Sequence, residues 1–321
     1  EDGIRDDLVT GVQTCALPIY PFQLKPLRIG TRSSALALWQ AHWVQNALSQ
    51  IGLTSELVPI HSSGDTNLVQ PLYEMGVVGV FTKELDQALL QNEVDLCVHS
   101  MKDVPTQLPA GIVAGFVPER GHAGDVFVFQ EKNWKGLPQR TIATSSLRRQ
   151  AQWLFAYKND HVVPLRGNIQ TRIDKIKANN WDGAIFAQAG LERLSTDPTI
   201  YTLIDWMIPA PAQGAILVTT RAEETKLLEN IKPLSHLPTQ DCVQAERDFL
   251  RALQGGCSAP IGAHASVHNN RISFVGSVTA PDGSRHIEIR ESYDRQDPDI
   301  GKQAAEILVR NGGEQVLEKL K

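Results

Sequence analysis

The stretch LRIGTRSSALALWQAHWVQNALSQ, residues 27–50, decides the fold. Its first four residues predict a short strand, and the later residues alternate apolar and polar side chains with the period of an amphipathic helix. Ser33 or Ser34 is the predicted helix cap, because a hydroxyl there can accept from free N–H groups of the first turn. SELVPIH at 55–61 predicts a second strand. A strand, a helix and a strand in this order are typical of an α/β domain with right-handed crossovers.

The same alternation continues along most of the chain. FTKELDQALLQN at 81–92 predicts a helix, and VDLCV at 94–98 predicts a strand of the kind that is buried on both faces of a parallel sheet. A second run of strands and helices covers 125–206. Two segments rich in Gly and Pro, at 118–124 and 208–220, separate these runs. We therefore expect two lobes joined by a double hinge.

The pattern changes after about residue 236. One helix leads into a Gly-Gly-Cys turn, three alternating strands follow, and a closing helix is expected at about 299–320. This order predicts a small C-terminal α+β domain on an antiparallel sheet, added to two flytrap lobes like those of periplasmic binding proteins. The predicted boundaries are 24–118 plus 214–235 for lobe 1, 124–207 for lobe 2, and 237–321 for the C-terminal domain.

The composition excludes several classes of protein. The 321 residues are 42% hydrophobic and 21% charged, with a formal net charge of −5. No apolar run approaches the ~18 residues of a membrane span, and the acidic balance argues against general nucleic-acid binding. The four cysteines, Cys15, Cys97, Cys242 and Cys257, form no Cys-x-x-Cys pair or zinc-finger spacing. We expect a reduced cytoplasmic protein with no metal site.

Residues 1–23 fit neither the fold nor a targeting signal. They lack the basic start of a secretory signal and the arginine-rich character of a transit peptide, and the chain begins with Glu. We interpret them as a non-native N-terminal extension.

Polar residues follow the buried strand at 94–98. They are His99, Ser100, Lys102 and Asp103. In open α/β sheets the ligand crevice lies at the carboxyl ends of the strands, so these groups are expected to face a cleft. The alternative is that Asp103 is a turn carboxylate bonded to nearby amides.

Basic residues collect at strand-to-helix junctions. ATSSLRRQ places three hydroxyls at one junction, those of Thr144, Ser145 and Ser146. Arg148 and Arg149 follow in the first helical turn, where they oppose the helix dipole unless an anion is bound. Between 141 and 175 there are six Lys or Arg residues and two Asp or Glu residues.

Two further junctions carry the same residue types. LRGNIQTR supplies Arg166 and Arg172, and the first lobe supplies Arg32 and Ser34. The planar fork of arginine suits carboxylate or phosphate, so the two lobes are predicted to present a cationic cleft to an anion. A solvated basic face is the alternative for any single arginine.

Cys257 lies in LQGGCSAPIGAHA, residues 253–265, after two glycines that leave its thiol accessible. A flytrap that only binds carboxylates would not need such a thiol. A thiol hydrolase would need a paired histidine, and the spacing of His264 does not by itself build that pair. A covalent attachment remains the third explanation.

From about Leu27 to the C-terminus the chain resembles the hydroxymethylbilane synthase family, also called porphobilinogen deaminase. The resemblance rests on nine stretches in the same order: RIGTRSSALALWQA, GDTNLVQPL, FTKELDQALL, VHSMKDVPT, TSSLRRQAQ, LRGNIQTR, AQAGLERL, PAPAQGA and ERDFLRALQGGCSAPIG. The fold of that family, two flytrap-like lobes and a small third domain, agrees with the pattern above.

The resemblance implies a transferase of tetrapyrrole and haem biosynthesis. Cys257 would carry a dipyrromethane cofactor through a thioether. Four porphobilinogen units would be added to it head to tail, each losing ammonia, before hydrolysis releases hydroxymethylbilane. Asp103 would stabilise the azafulvene cation and shuttle the proton. Porphobilinogen is the expected partner, and the resemblance implies a cytoplasmic monomer.

The resemblance also assigns contacts. The implied cofactor contacts, besides Cys257, are Lys83, Asp103, Thr144, Ser145, Ser146, Arg148, Arg149 and Arg172. The implied substrate contacts are Arg32, Ser34, Arg149, Arg166, Arg172 and Arg193. Two positions depart from the family pattern, because Val78 stands where a lysine is usual and Ala212 stands where a glycine is common.

Overall fold

The structure, a computed structural model, describes residues 25–61, 81–254 and 259–318. The predictions for residues 1–23, Val78 and Cys257 lie outside these ranges. The strands are β1 Leu27–Arg32, β2 Ser55–Ile60, β3 Leu96–Ser100, β4 Ile112–Phe116, β5 Asp125–Phe129, β6 Thr141–Ala143, β7 His161–Val163, β8 Gly183–Ala187, β9 Tyr201–Ile204, β10 Ile216–Arg221, β11 Ile261–His268, β12 Arg271–Thr279 and β13 His286–Asp294. The α-helices are α1 Ala35–Gln50, α2 Lys83–Leu90, α3 Leu147–Ala156, α4 Ile169–Ala178, α5 Gln188–Arg193, α6 Thr225–Ile231, α7 Leu237–Ala252, α8 Ile300–Leu308 and α9 Glu314–Leu317. No helix in the described ranges is both long enough and apolar enough to span a membrane.

Two of the sheets have the same plan, which confirms the predicted pair of flytrap lobes. The first has the strand order β2-β1-β3-β10-β4 and the second has the order β7-β6-β8-β5-β9. In each, three parallel strands are followed by an antiparallel one, β10 in the first lobe and β5 in the second. β3 was predicted as a strand of the kind that is buried on both faces of a parallel sheet, and it is parallel to β1 but antiparallel to β10. β3 is buried as expected, but its neighbour β10 returns from the other lobe and enters the sheet in the opposite direction.

The third sheet is the antiparallel meander β11-β12-β13, as predicted for the C-terminal domain. Helices α7 and α8 pack with it around a core that includes the edge-to-face pair Phe249 and Phe274, whose ring centroids lie 5.2 Å apart. The prediction of one continuous closing helix is wrong. Gly312 has a φ of +97°, and this left-handed residue interrupts the helix between α8 and α9.

The chain crosses between the lobes twice, and the two crossings are bonded to each other. The Gly121 amide donates to the Gly214 carbonyl at 3.2 Å, and Arg120 Nε donates to the Gln213 carbonyl at 2.7 Å. Gly214 has a φ of +85°, and a Cβ there would lie 2.7 Å from the Gly121 carbonyl oxygen. Ala212 also has a positive φ, +60°, which explains in physical terms why glycine suits this position.

Candidate active site between the lobes

Asp103 lies in a short 3₁₀ turn, Met101–Asp103, at the carboxyl end of β3. The turn is held by backbone bonds on both sides of the carboxylate. The Met101 amide donates to the Ala215 carbonyl of the hinge at 3.0 Å, and the Val104 amide donates to Met101 at 3.2 Å. Among the described residues no amide donates to the Asp103 side chain, so the turn-capping alternative finds no support. The carboxylate is partly exposed and available to a ligand.

Lys102 is directed to the hinge, and its Nζ donates to Gln213 Oε1 at 3.3 Å. Burial and the nearby Arg149 guanidinium lower the pKa of Lys102 to about 8, although Asp103 and Asp125 oppose this shift. Lys102 is therefore mostly protonated near pH 7, and its positive charge is disfavoured by burial and by the nearby arginine. An anionic ligand would relieve that cost.

Asp125 binds both arginines of the α3 first turn. The carboxylate is fully buried at 0% exposure, 2.7 Å from Arg148 Nη1 and 2.7 Å from Arg149 Nη2. Burial by itself would raise the pKa of Asp125, but the two guanidinium groups outweigh it and hold the pKa well below its usual range. Arg148 Nη1 also donates to the Ile208 carbonyl at 2.8 Å, and Arg149 Nη1 donates to the Ile185 carbonyl at 2.9 Å. One carboxylate thus faces two cations, and the group keeps a net positive charge.

Arg166 and Arg172 flank the start of α4, whose cap is Asn168. Arg172 Nε donates to the Gly167 carbonyl at 2.6 Å, and Lys175 Nζ donates to the Arg166 carbonyl at 3.0 Å. Burial, with Arg149 and Arg166 nearby, lowers the pKa of Arg172 to about 10, while Asp103 raises it. Burial also lowers the pKa of Arg166.

The predicted hydroxyl ligands hold the second lobe together. Ser146 caps α3 by accepting from the Arg149 amide at 3.4 Å, and Thr144 Oγ1 accepts from the Ser146 amide at 3.2 Å. Ser145 Oγ donates to the Leu165 carbonyl at 3.0 Å and accepts from the Leu165 amide at 2.8 Å. These bonds place the α3 start beside the Arg166 loop. Contact with a ligand stays a prediction for all three.

The first lobe contributes Arg32 and Ser34. Ser34 is the cap of α1 and accepts from the Ala37 amide at 3.3 Å, which selects it over Ser33. The Arg32 guanidinium lies 4.2 Å from the centroid of the Phe81 ring. The Arg32 charge also acts on the second lobe, since Arg32 contributes to the lowering of the Arg172 pKa.

The structure therefore brings together Asp103, Lys102, Arg32, Arg149, Arg166 and Arg172. Arg193 lies elsewhere, because its Nη2 donates to the Gly214 carbonyl at 2.7 Å and its guanidinium lies 5.4 Å from the Trp39 ring centroid. Lys83 is exposed at the start of α2 and lines a groove with the 105–109 loop. Among the described residues, neither bonds directly to a member of the cluster, so their ligand roles stay predictions.

This arrangement gives a direct test of fit for a polycarboxylate. The described cluster has five cationic side chains around one accessible carboxylate, and the pKa values of Lys102, Arg166 and Arg172 are lowered. Lowered pKa values on cations mean that the protein environment disfavours their charge. A dipyrromethane, which carries several carboxylates, would supply the missing negative charge. The residues fit that group.

Comparison with known proteins identifies the family. A family model described as porphobilinogen deaminase, dipyromethane cofactor binding domain, matches residues 27–229, and the model of the C-terminal domain of the same family matches 240–310. The chain belongs to the porphobilinogen deaminase family. The chain is 41% identical to the porphobilinogen deaminase of Carboxydothermus hydrogenoformans over 92% of this chain and 98% of the relative. It is 42% identical to that of Syntrophotalea carbinolica over 92% and 96%.

Two of the solved structures that match are far more distant in sequence. A probable amino-acid transporter extracellular-binding protein from Bacillus subtilis is 11% identical, with a TM-score of 0.40 over 65% of this chain and 90% of that chain. A putative methionine-binding lipoprotein from the same species is 13% identical, with a TM-score of 0.41 over 66% and 91%.

Sequence reasoning expected Lys102 to face the cleft together with Asp103. It missed two residues at the hinge, Asp125 and Gln213, because their partners are distant in sequence. Gln213 is fully buried, and its Nε2 donates to the Ala123 carbonyl at 2.7 Å and to Asp125 Oδ1 at 3.0 Å.

Replacing Asp125 by asparagine should destabilise the fold strongly. The change leaves two buried guanidinium groups without a carboxylate, which costs about 3–5 kcal/mol of unfolding free energy. Urea denaturation at pH 7 measures this loss. Because the folded pKa of Asp125 is depressed, its stabilisation is present above the unfolded pKa of about 3.9 and is lost as pH falls through the folded value.

The control is Asp174→Asn, which changes an exposed carboxylate of the same lobe. This variant should unfold within about 0.5 kcal/mol of the wild type. A difference of that small size for Asp125→Asn as well would show that the buried pair does not hold the lobe.

Proposed function

We propose that the protein is a hydroxymethylbilane synthase, which joins four porphobilinogen units head to tail with loss of ammonia and releases the linear tetrapyrrole. The observation that carries the proposal is the partly exposed carboxylate of Asp103 beside Lys102 and Arg172 in a chain of this family. Each substrate carries an acetate and a propionate, so the growing chain is a polycarboxylate. A cluster of cations with one carboxylate suits both the charge of the chain and the chemistry at its end.

Cys257 is the proposed attachment point of the dipyrromethane. When bound, the cofactor supplies the pyrrole carbon to which the first substrate unit is joined. We assign its carboxylates to Arg172, Arg149 and Lys102, with Arg148 acting through the Asp125 ion pair. The start of α3 would place the backbone N–H groups of that turn, and the hydroxyls of Thr144, Ser145 and Ser146, beside the same carboxylates.

Asp103 acts on the substrate. Loss of ammonia from porphobilinogen leaves an electron-poor cation, and a fixed carboxylate stabilises that charge where it develops. The amine leaves as ammonia from the ammonium form of the substrate, and the same carboxylate can take the proton that the pyrrole carbon loses after bond formation. The backbone bonds on both sides of the turn hold Asp103 in place for this.

Arg32, Arg166 and Arg172 bind the substrate carboxylates. Arg32 belongs to the first lobe and the other two to the second, so a bound polycarboxylate would be held from both lobes. Arg193 and Ser34 are proposed as further substrate contacts. We also propose that the enzyme works as a cytoplasmic monomer.

Incubation of the purified protein with porphobilinogen tests the proposal. We expect one ammonia for each unit consumed and a linear tetrapyrrole as product, detected by its conversion to uroporphyrin after acid and oxidation. A flytrap that only binds carboxylates would retain porphobilinogen without releasing ammonia. Such a result, with folded protein, would overturn the proposal.

A further inference from the structure

Helix α7 of the C-terminal domain carries two adjacent buried charges, Glu246 at 0% exposure and Arg247 at 8%. Neither belongs to the ligand cluster. Each reaches out of its own domain to a different part of the lobes, so α7 is fixed to both. By sequence, the turn with Cys257 follows the end of this helix.

Glu246 fixes α7 to the hinge. Its carboxylate accepts from Arg120 Nη1 at 2.6 Å and Nη2 at 3.0 Å in the first crossing, and from the Ala212 amide at 2.6 Å in the second. It also accepts from the Ala265 amide of β11 at 2.7 Å. This one buried carboxylate therefore joins both crossings to the C-terminal domain.

Arg247 fixes α7 to the loop that contains Asp103. Its Nη1 donates to the Val104 carbonyl at 2.9 Å and its Nη2 to the Pro105 carbonyl at 2.6 Å, with a longer contact of 3.4 Å from Nη1 to the Met101 carbonyl. These carbonyls lie on both sides of Asp103. A planar guanidinium can donate to several carbonyls that lie apart from one another, because its donors are spread over three nitrogen atoms. The donors of a lysine ammonium group all lie on one nitrogen.

We propose that Arg247 is a positioning residue for Asp103. Through Arg247, helix α7 of the C-terminal domain would hold the 101–105 loop in its position. The proposal rests on the proposed function for the role of Asp103. Arg247 is assigned no contact with ligand or reacting atoms, and it acts by restricting the backbone of the loop. A misplacement of about 1 Å at a catalytic group can cost about 10²-fold in rate.

The test compares Arg247→Lys and Arg247→Gln with the wild type, each at measured cofactor occupancy. We expect kcat to fall about 10- to 100-fold with KM changed by less than about 3-fold, since the loop is loosened while the substrate cations remain. Hydrogen exchange should become faster in the peptide that covers 101–105. The control is Arg295→Gln, because Arg295 Nε binds Asp241 of the same helix at 2.6 Å and does not contact the loop. It should leave both readouts unchanged.

A double-mutant cycle with Asp103→Asn separates positioning from a general structural role. If Arg247 acts through Asp103, then Arg247→Lys should slow single-turnover ammonia release less than about 2-fold in the Asp103→Asn background. The proposal would be overturned if the rate losses of Arg247→Lys and Asp103→Asn multiplied fully in the double variant. It would also be overturned if hydrogen exchange at 101–105 did not change in Arg247→Lys. If the proposed function were wrong, the wild type itself would release no ammonia. The hydrogen-exchange experiment would still decide whether Arg247 holds the loop.

Discussion

Replacing Cys257 by alanine should leave the protein without covalently bound pyrroles and should abolish the turnover of porphobilinogen. A thioether needs a sulfur nucleophile, and alanine offers none, so the variant cannot hold the primer. Intact mass of denatured protein measures this directly. The wild type should exceed its sequence mass by two linked pyrrole units and colour with Ehrlich's reagent, and the variant should do neither.

Two other thiols supply matched controls. Cys97 and Cys242 are buried, and burial raises the pKa of Cys97 and raises that of Cys242 to about 12. A thiol that stays protonated is a poor nucleophile. Cys242→Ala should therefore keep the adduct and the activity.

An adduct that persists in Cys257→Ala would place the attachment on another residue. An unmodified wild type would first be incubated with porphobilinogen, since a member of this family should then load itself. A wild type that still gained no mass would contradict the attachment and the proposed reaction together.

Local patterns were sufficient to predict the fold because strand and helix periods reflect burial on one or two faces of an element. The periodic stretches around β1, α1 and β3 were found at the expected places. The antiparallel entry of β10 could not be predicted in the same way. Its direction depends on a return from the second lobe, 120 residues along the chain between the bonded His99 and Thr219, and no local period encodes it.

The residues of the candidate site also fall into a group that local sequence predicts and a group that it does not predict. Residues that follow strand ends, such as Asp103 after β3 and Arg166 after β7, could be predicted because the topology of an open sheet places them at the crevice. Asp125, Gln213 and Arg247 could not, since each is defined by partners from another part of the chain. Arg247 binds carbonyls that precede it by 142 to 146 residues. A buried charge gives a sequence signal only when its partner is near in the chain.

Asp103→Asn should lower kcat by at least about 10²-fold, because a neutral amide neither stabilises the cation left by ammonia nor carries its proton. Steady-state ammonia release, normalised to cofactor occupancy, measures the effect. KM should not rise. Asp103 raises the pKa values of Lys102 and Arg172, so its removal leaves a more positive cleft for an anionic substrate.

This separation of kcat from KM distinguishes catalysis from binding. If Asp103 only balanced the charge of the arginines, its loss would tighten substrate binding and leave the chemical step unchanged. Asp174→Asn, which removes an exposed carboxylate from α4, is the matched control and should be indistinguishable from the wild type. A folded and loaded Asp103→Asn enzyme with normal kcat would show that the cation is stabilised elsewhere. The stabilising group would then have to come from the substrate chain or from a residue outside the described ranges.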